Sequence, residues 1–398
     1  MSDNKLFDYC LDDHQRRVLR AYLDNDCSPT AASKALQGDP CRRSIQRTIQ
    51  RIKKRAARAG YAPEHDMTRT TPEGFSVKGV STYYNRDGEA IGQWVKTSRD
   101  AEDQAERMRE FVAGLMAEIE PAEARPLKRR GHNDELLTAI FIGDAHIGMY
   151  AYGKETGHTD FNSDIATEQL RDAIDYLVDR AEPTETGLLV DVGDFMHANG
   201  AHDTTFAGTP LDVDTRHDAV LKKAAMVMRY MIDRMLTKFK KVVVVVAKGN
   251  HNTDSAGAVR LALDFFYSRE PRVNVLDTTG FYHYVEFGKW LLGIHHGDKQ
   301  KPEALAGSMA RDMAEAWGRT TSRMWCVGHF HKDAVKTLPG VKYKVFGALP
   351  PPDSWHAANG YAGDGEMEML TLRKSGGIHS SHVYHIPQPV REPDVTIL

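Results

Sequence analysis

The chain has 398 residues, 41% of them hydrophobic, and a formal net charge of -3. That length suits two or three domains, the apolar content excludes general disorder, and the charge balance excludes a uniformly basic protein while allowing a basic module joined to a neutral one. No apolar run approaches the roughly 20 residues that span a bilayer, and the polar start MSDNKLFDYC lacks a basic n-region and an apolar h-region, so the expected compartment is the cytoplasm.

From Asp12 to Asn25 the apolar residues Val18, Leu19, Tyr22 and Leu23 recur at helical spacing, and 25–29 reads as a turn. Thr30 is the expected cap of a short second helix over 31–36, which Gln37-Gly38-Asp39-Pro40 breaks. A third helix is expected over 41–59, stopped by Gly60, so that the three together have the outline of a helix-turn-helix. In this third helix Ile45, Ile49, Ile52 and Ala56 share one face, at i, i+4, i+7 and i+11. Arg43, Arg47, Lys54 and Arg58 lie opposite, flanked by Arg42, Arg51, Lys53 and Arg55, and no acidic residue interrupts them. Such a helix repels itself in solution but releases counterions from a phosphate backbone, so Arg42, Arg43, Arg47, Arg51, Lys54 and Arg58 are expected nucleic-acid contacts, with DNA the natural partner. A solvated basic face is the plain alternative.

Past Met67 the period changes: 75–84, the turn Asn85-Arg86-Asp87-Gly88 and 91–95 read as a β-hairpin. It is either a wing, with Lys78, Arg86 and Lys96 at a nucleic-acid backbone, or a packing ribbon that buries Trp94. A helix over 100–120 follows, with Met108, Phe111, Leu115 and Ile119 on one face, and then a proline-bearing charged linker. The expected partition is 1–66, helix-turn-helix; 67–120, hairpin and amphipathic helix; 121–134, linker; 135–386, a second domain; and 387–398, a tail. Cys10, Cys27, Cys41 and Cys326 have neither zinc-ligand pairing nor disulfide density, which reads as reduced thiols.

The second domain carries a repeated pattern. The apolar run 136–142 ends in Gly143-Asp144-Ala145-His146; 187–192 ends in Gly193-Asp194; 242–247 ends in Lys248-Gly249-Asn250-His251. Later, 289–294 ends in His295-His296-Gly297-Asp298 and 324–327 in Gly328-His329-Phe330-His331. Helices are expected over 163–180 and 215–239, with closing strands over 366–372 and 382–386. Strand ends are where open α/β sheets hold ligands, and Asp, Asn and His are oxygen and imidazole donors for a divalent transition metal. Adjacent His295 and His296 point to opposite faces of a strand, so one of them is the expected ligand, whereas alternation aims both imidazoles of His329-Phe330-His331 the same way. Seven donors exceed the needs of one tetrahedral ion and match two ions sharing a carboxylate.

These five motifs, in this order, resemble those of the calcineurin-like metallophosphoesterase superfamily, over about 136–346. The resemblance implies a four-layer α-β-β-α sandwich around a dinuclear centre. Asp144, His146, Asp194 and His331 would hold one ion and Asp194, Asn250, His296 and His329 the other, with His251 protonating the leaving oxygen. Gly193-Asp194-Phe195-Met196-His197 is similar to the second motif of the superfamily's double-strand-break repair nucleases, which makes His197 a candidate for transition-state stabilisation. Gly297-Asp298 departs from the Gly-His of many members, and Asn252 stands where an acidic residue is common. The order of a helix-turn-helix before such a domain resembles bacteriophage-encoded proteins. The expected function is thus a phosphodiesterase using two divalent ions, manganese first and iron, zinc, cobalt or nickel next, and most directly a nuclease. A small-molecule phosphodiesterase or protein phosphatase, and a non-catalytic DNA-binding adaptor, are the alternatives.

Overall fold

The computed structural model of the protein describes residues 5–63, 67, 75–84, 90–99, 113–114, 122, 131–360, 363 and 365–387. The expected hairpin turn, all but residues 113–114 of the helix expected over 100–120, most of the linker and nearly all of the tail lie outside these residues. The chain divides into two compact units, Met1–Arg107 and Met108–Leu398.

In the first unit, α1 (Asp13–Leu23) begins where the Asp12 carboxylate accepts the Gln15 N–H at 2.7 Å. Then α2 (Pro29–Ala35) is capped by Ser28, whose hydroxyl accepts the Ala31 N–H, not by Thr30. The cause is Pro29: its fixed φ suits the first helical position, where its missing N–H leaves nothing unpaired, and this starts the helix early. The third helix, α3 (Arg42–Arg58), buries Ile45, Ile49 and Ile52 against Val18, Leu19 and Ala32. Arg42, Arg43, Arg47, Arg51 and Lys54 are exposed, as the helical wheel requires. Arg55 is not part of that free surface, since its guanidinium donates to the Tyr9 carbonyl at 2.9 Å and to the Gln15 side chain. Strands β1 (Phe75–Tyr84) and β2 (Ala90–Arg99) pair antiparallel, and Trp94 is 66% exposed, so the hairpin does not bury it.

The second unit starts with a β-α alternation: β3 (Asn133–Ile142), α4 (Ser163–Arg180), β4 (Thr184–Asp191), α5 (His217–Leu236), β5 (Lys241–Val246), α6 (Ser255–Phe266) and β6 (Val273–Val275). A second series follows, with β7 (His283–Phe287), β8 (Trp290–Ile294), α7 (Pro302–Asp312), α8 (Ala314–Arg319), β9 (Ser322–Val327), β10 (Ala334–Leu338) and β11 (Val341–Val345). After the short α9 (Ser354–Ala358), β12 (Glu366–Arg373) and β13 (Ile378–His385) return to the first sheet, whose order is β13-β12-β3-β4-β5-β6. The second sheet runs β10-β11-β9-β8-β7.

Strand alternation explains the layers. On β3, Ile140 and Ile142 face a core built with α4, α5 and α6, while Ala139 and Phe141 face the other sheet. There Phe141 stacks on Phe346 with centroids 4.1 Å apart, among Val190, Leu292 and Cys326. The far face of the second sheet carries Leu291, Trp325 and Val327, packed against Leu305 and Met309 of α7. The unit is therefore helix, sheet, sheet, helix, with a buried core in each interval. Among the described residues no helix is long and apolar enough to cross a membrane, and the four cysteines are free.

Candidate metal centre

Strands β3, β4 and β5 are parallel neighbours in one sheet, and β8 and β9 are parallel neighbours in the other. Beyond their ends the chain presents Asp144 and His146, Asp194, Asn250 and His251, His296, and His329 and His331. Stacking of the sheets brings these residues together. Asp144, His146 and His331 place donor atoms within 4.8 Å of one another, and so do Asp194, His296 and His329. His146 Nε2 lies 3.1 Å from His331 Nε2, which lies 3.8 Å from Asp144 Oδ1. Two donors each about 2.1 Å from one ion stand roughly 3.0 to 3.4 Å apart, so the imidazole pair has the spacing of shared coordination. In the second group His296 Nε2 is 2.8 Å from Asp194 Oδ2 and 3.2 Å from Asn250 Oδ1. The same nitrogen is 3.8 Å from Asp144 Oδ1, so the two groups adjoin.

The main chain sets this spacing. His146 N–H donates to the Asp194 carbonyl, Ile147 N–H to Phe195 and His197 N–H to Ile147, each at 3.0 Å, so the β3 and β4 loops stay paired past the strand ends. Asn252 is 1% exposed, and its carboxamide oxygen accepts the Gly249 N–H at 2.8 Å and the Asp194 N–H at 3.2 Å, joining the β4 and β5 loops. Both Asp144 oxygens accept the His329 N–H, at 3.0 and 2.8 Å, which ties the two sheets. Two glycines leave room for the carboxylates: a Cβ on Gly249 would sit 1.9 Å from Asp194 Oδ1, and one on Gly328 2.3 Å from Asp144 Oδ2. His146, Asp194, His329 and His331 have left-handed backbones, with φ of 44°, 54°, 70° and 49°. Non-glycine residues adopt this conformation at an energetic cost, and it clusters at ligand sites.

Burial pushes the Asp144 carboxyl up to about 7, opposed by His296 and aided by Asp194. Burial acts on Asp194 in the same sense, but the charge and hydrogen bond of His296 outweigh it and hold Asp194 below the usual carboxylate range. Against its own burial, His296 is raised to about 10 by Asp194 and Asp144, and its Nδ1 meets the Val192 carbonyl at 3.2 Å, so both ring nitrogens face acceptors. Burial and neighbouring imidazoles push His146 well down and His331 to about 3. Burial, with His296 adding to it, lowers His329 as well. His146, His329 and His331, kept neutral beside buried carboxylates, offer the lone pairs a divalent ion needs, and His296 would have to give up a proton to join them.

The backbone N–H of His251 donates to Asp194 Oδ1 at 2.8 Å, and its ring Nδ1 lies 2.7 Å from the His197 carbonyl oxygen, so Nδ1 rather than Nε2 is engaged by that carbonyl. His197 is 2% exposed and does not line the cleft; its Nδ1 lies 3.1 Å from His146 Nδ1. His295 turns away and stacks on Tyr282 with centroids 4.9 Å apart. The open side of the centre is a cleft of about 590 Å³, bounded by Asp194, Asn250, His251, His329 and His331 and by Thr205, Leu211, Phe330, Trp355 and His356. The motif spacing did not reveal His356, which lies flat on His331 at 4.8 Å with its Nδ1 2.7 Å from Asp353 Oδ1. The proline run 350–352 marked a loop at the site mouth, but nothing in it singled out this histidine. The basic residues expected to touch nucleic acid belong to the first unit; five are exposed on α3, and the side chain of Arg58 is outside the described ones.

No protein-family model and no curated protein matches the chain. Among solved structures it is similar to Vps29 complexed with zinc from Entamoeba histolytica, at 12% identity over 63% of this chain and 98% of that one, with a TM-score of 0.29. A predicted phosphoesterase from Streptococcus pneumoniae is similar at 11% identity, over 63% and 98% of the two chains, with a TM-score of 0.25. A novel archaeal phosphodiesterase is similar at 12% identity, over 62% and 99%, with a TM-score of 0.32. Likenesses at these scores carry no functional argument, which rests on the chain's own residues.

Proposed function

We infer that the protein is a metal-dependent phosphodiesterase acting on nucleic acid, most directly a DNA nuclease. The observation that carries this reading is the two adjoining donor groups, three donors each, that meet at the ends of β3, β4, β8 and β9. Asp144, His146, Asp194 and His331 would hold one divalent ion and Asp194, Asn250, His296 and His329 a second, with Asp194 shared. The mixture of carboxylate, carboxamide and imidazole donors favours manganese, with iron, zinc, cobalt and nickel next. Such a pair supplies Lewis acidity at phosphorus and compensates charge during in-line displacement. The five-motif resemblance to calcineurin-like metallophosphoesterases supports the same chemistry, and the resemblance of 193–197 to the repair-nuclease motif supports the nuclease branch.

The protein's own groups divide the remaining work. His251 donates the proton to the leaving oxygen from Nε2, because the His197 carbonyl fixes the other proton on Nδ1. For His146 to offer Nε2 as a lone pair, its proton sits on Nδ1 and is donated to His197 Nδ1, which places the His197 proton on Nε2. His197 is thus a positioning residue that fixes the His146 tautomer. Exposed Arg42, Arg43, Arg47, Arg51 and Lys54 of α3 support DNA as the partner, by phosphate neutralisation.

The test is turnover by the purified full chain with manganese on single-stranded DNA, duplex DNA, RNA, a cyclic nucleotide and a generic phosphomonoester, with chelator and His251→Ala as controls. Nucleic-acid cleavage lost in both controls supports the reading. Turnover of small esters alone overturns the nuclease assignment, and no turnover of any substrate leaves the DNA-binding adaptor.

A further inference from the structure

We propose that Lys248, Phe281 and Lys299 form a subsite for an unpaired nucleotide next to the scissile phosphate, so that the substrate strand is single-stranded where it crosses the centre. This rests on the phosphodiesterase reading and adds the form of the substrate. Lys248 immediately precedes Gly249-Asn250, and Lys299 follows His296 by three residues, so both are anchored at the Asn250 and His296 end of the centre. Their ammonium groups converge on one ring, with Lys248 Nζ 5.5 Å and Lys299 Nζ 5.8 Å from the Phe281 centroid. Phe281 is half-buried, on the segment between β6 and β7, and is not a core residue of either sheet. Lys299 also pairs with Asp298 at 2.6 Å; Lys248 has no carboxylate partner among the described residues.

The cleft side carries similar groups. Phe330, 44% exposed, lies against Gly297, where a Cβ would meet its ring at 3.4 Å, and Trp355 is 62% exposed at the mouth. The cleft thus offers aromatic faces, and the loops that carry Asn250 and His296 offer a half-buried ring approached by two ammonium groups. Alternating rings and ammonium groups match the alternation of bases and phosphates in a polynucleotide, with base stacking on the ring and phosphates drawn to flexible lysines. A phosphomonoester or cyclic nucleotide has no neighbouring nucleotide to offer Phe281, a phosphopeptide brings no flanking phosphates, and a duplex keeps its bases stacked inside.

The experiment compares the full chain with Phe281→Ala, Phe281→Trp and Lys248→Ala/Lys299→Ala on oligothymidylate, oligouridylate, a duplex and bis(p-nitrophenyl) phosphate, with manganese. Oligonucleotide kcat/KM, divided by the small-diester value of the same variant, should fall about ten-fold in Phe281→Ala, further in the double variant, and be kept in Phe281→Trp. An unchanged ratio in both alanine variants, or a duplex preference with the same losses, overturns the proposal. Should the wild-type chain turn over neither oligonucleotide nor small diester, the phosphodiesterase reading fails, and the subsite is then decided by photocrosslinking to a 5-iododeoxyuridine oligonucleotide. A crosslink at Phe281 supports the subsite, and crosslinking only elsewhere, or none, rejects it.

Discussion

Asn252 illustrates how much of the centre depends on residues that touch no ligand. Its one oxygen holds two backbone N–H groups from two loops, both buried. Asn252→Ala leaves these donors unpaired, which should cost about 1 to 3 kcal/mol in thermal or urea unfolding and weaken manganese binding about 10- to 100-fold by calorimetry. Gly249→Ala and Gly328→Ala should keep the circular-dichroism spectrum but lose bound metal, because the new methyl groups occupy the places of Asp194 Oδ1 and Asp144 Oδ2. Full metal content in both variants would show that the carboxylates can move aside. The carboxylates around His296 raise it to about 10, so an ion held at its Nε2 would displace a proton. Calorimetry at pH 8 in buffers of different ionisation enthalpy should therefore read at least one proton released per molecule on metal binding; zero would exclude His296 as a ligand.

At the level of elements, α3 separates packing from charge. Ile52 is fully buried, and Ile52→Ala should destabilise the first unit by about 2 to 5 kcal/mol. Exposed Arg47 and Arg51 carry no such load; Arg47→Ala/Arg51→Ala should leave folding intact and lower the slope of log affinity for DNA against log salt by about one per lost phosphate contact. An unchanged slope would overturn the proposal that α3 contacts DNA. The packed face of α3 was legible because Ile45, Ile49, Ile52 and Ala56 are large or apolar at a strict helical period. Likewise the ends of β3, β4, β5, β8 and β9 were legible because strands buried on both faces read as continuous apolar runs ending at glycine or histidine. Short strands such as β6, and edge strands such as β10 with its exposed Val335, lack that contrast and gave no comparable signal. The left-handed backbones of His146, Asp194, His329 and His331 were illegible for another reason. They are imposed by contacts between loops far apart in the chain, which no local propensity reports.

For the molecule as a whole, the buried histidines set an acid limit. Burial pushes His283 and His295 down to about 4 and His197 and His331 to about 3, so all four are neutral in the folded chain while their unfolded counterparts protonate near 6.5. Their contribution is complete above about pH 6.5 and is lost progressively as pH falls toward 4 and 3, because the unfolded chain then binds more protons. His296 acts in the opposite sense: it stabilises the fold below about 6.5 and loses that effect as pH rises through about 10. Melting of the metal-free protein should therefore show a midpoint that drops steeply below pH 6.5, declines between about pH 6.5 and 10, and levels off beyond that as far as His296 is concerned; a flat acid limb would mean these imidazoles are not sequestered. At pH 7.5, manganese at a hundred times its dissociation constant should add about 2.7 kcal/mol to stability, reversed by chelator.

The splice between the β3 and β4 loops makes the floor of the cradle a continuation of pleated sheet, and this bears on what the protein retains when it is emptied. Amide hydrogens of His146, Ile147 and His197, each engaged with the opposite loop, should exchange with deuterated solvent on the slow timescale of the strands, even after exhaustive dialysis against chelator. In that event ions would enter a form already cast in the main chain, and repeated loading and unloading would leave no hysteresis.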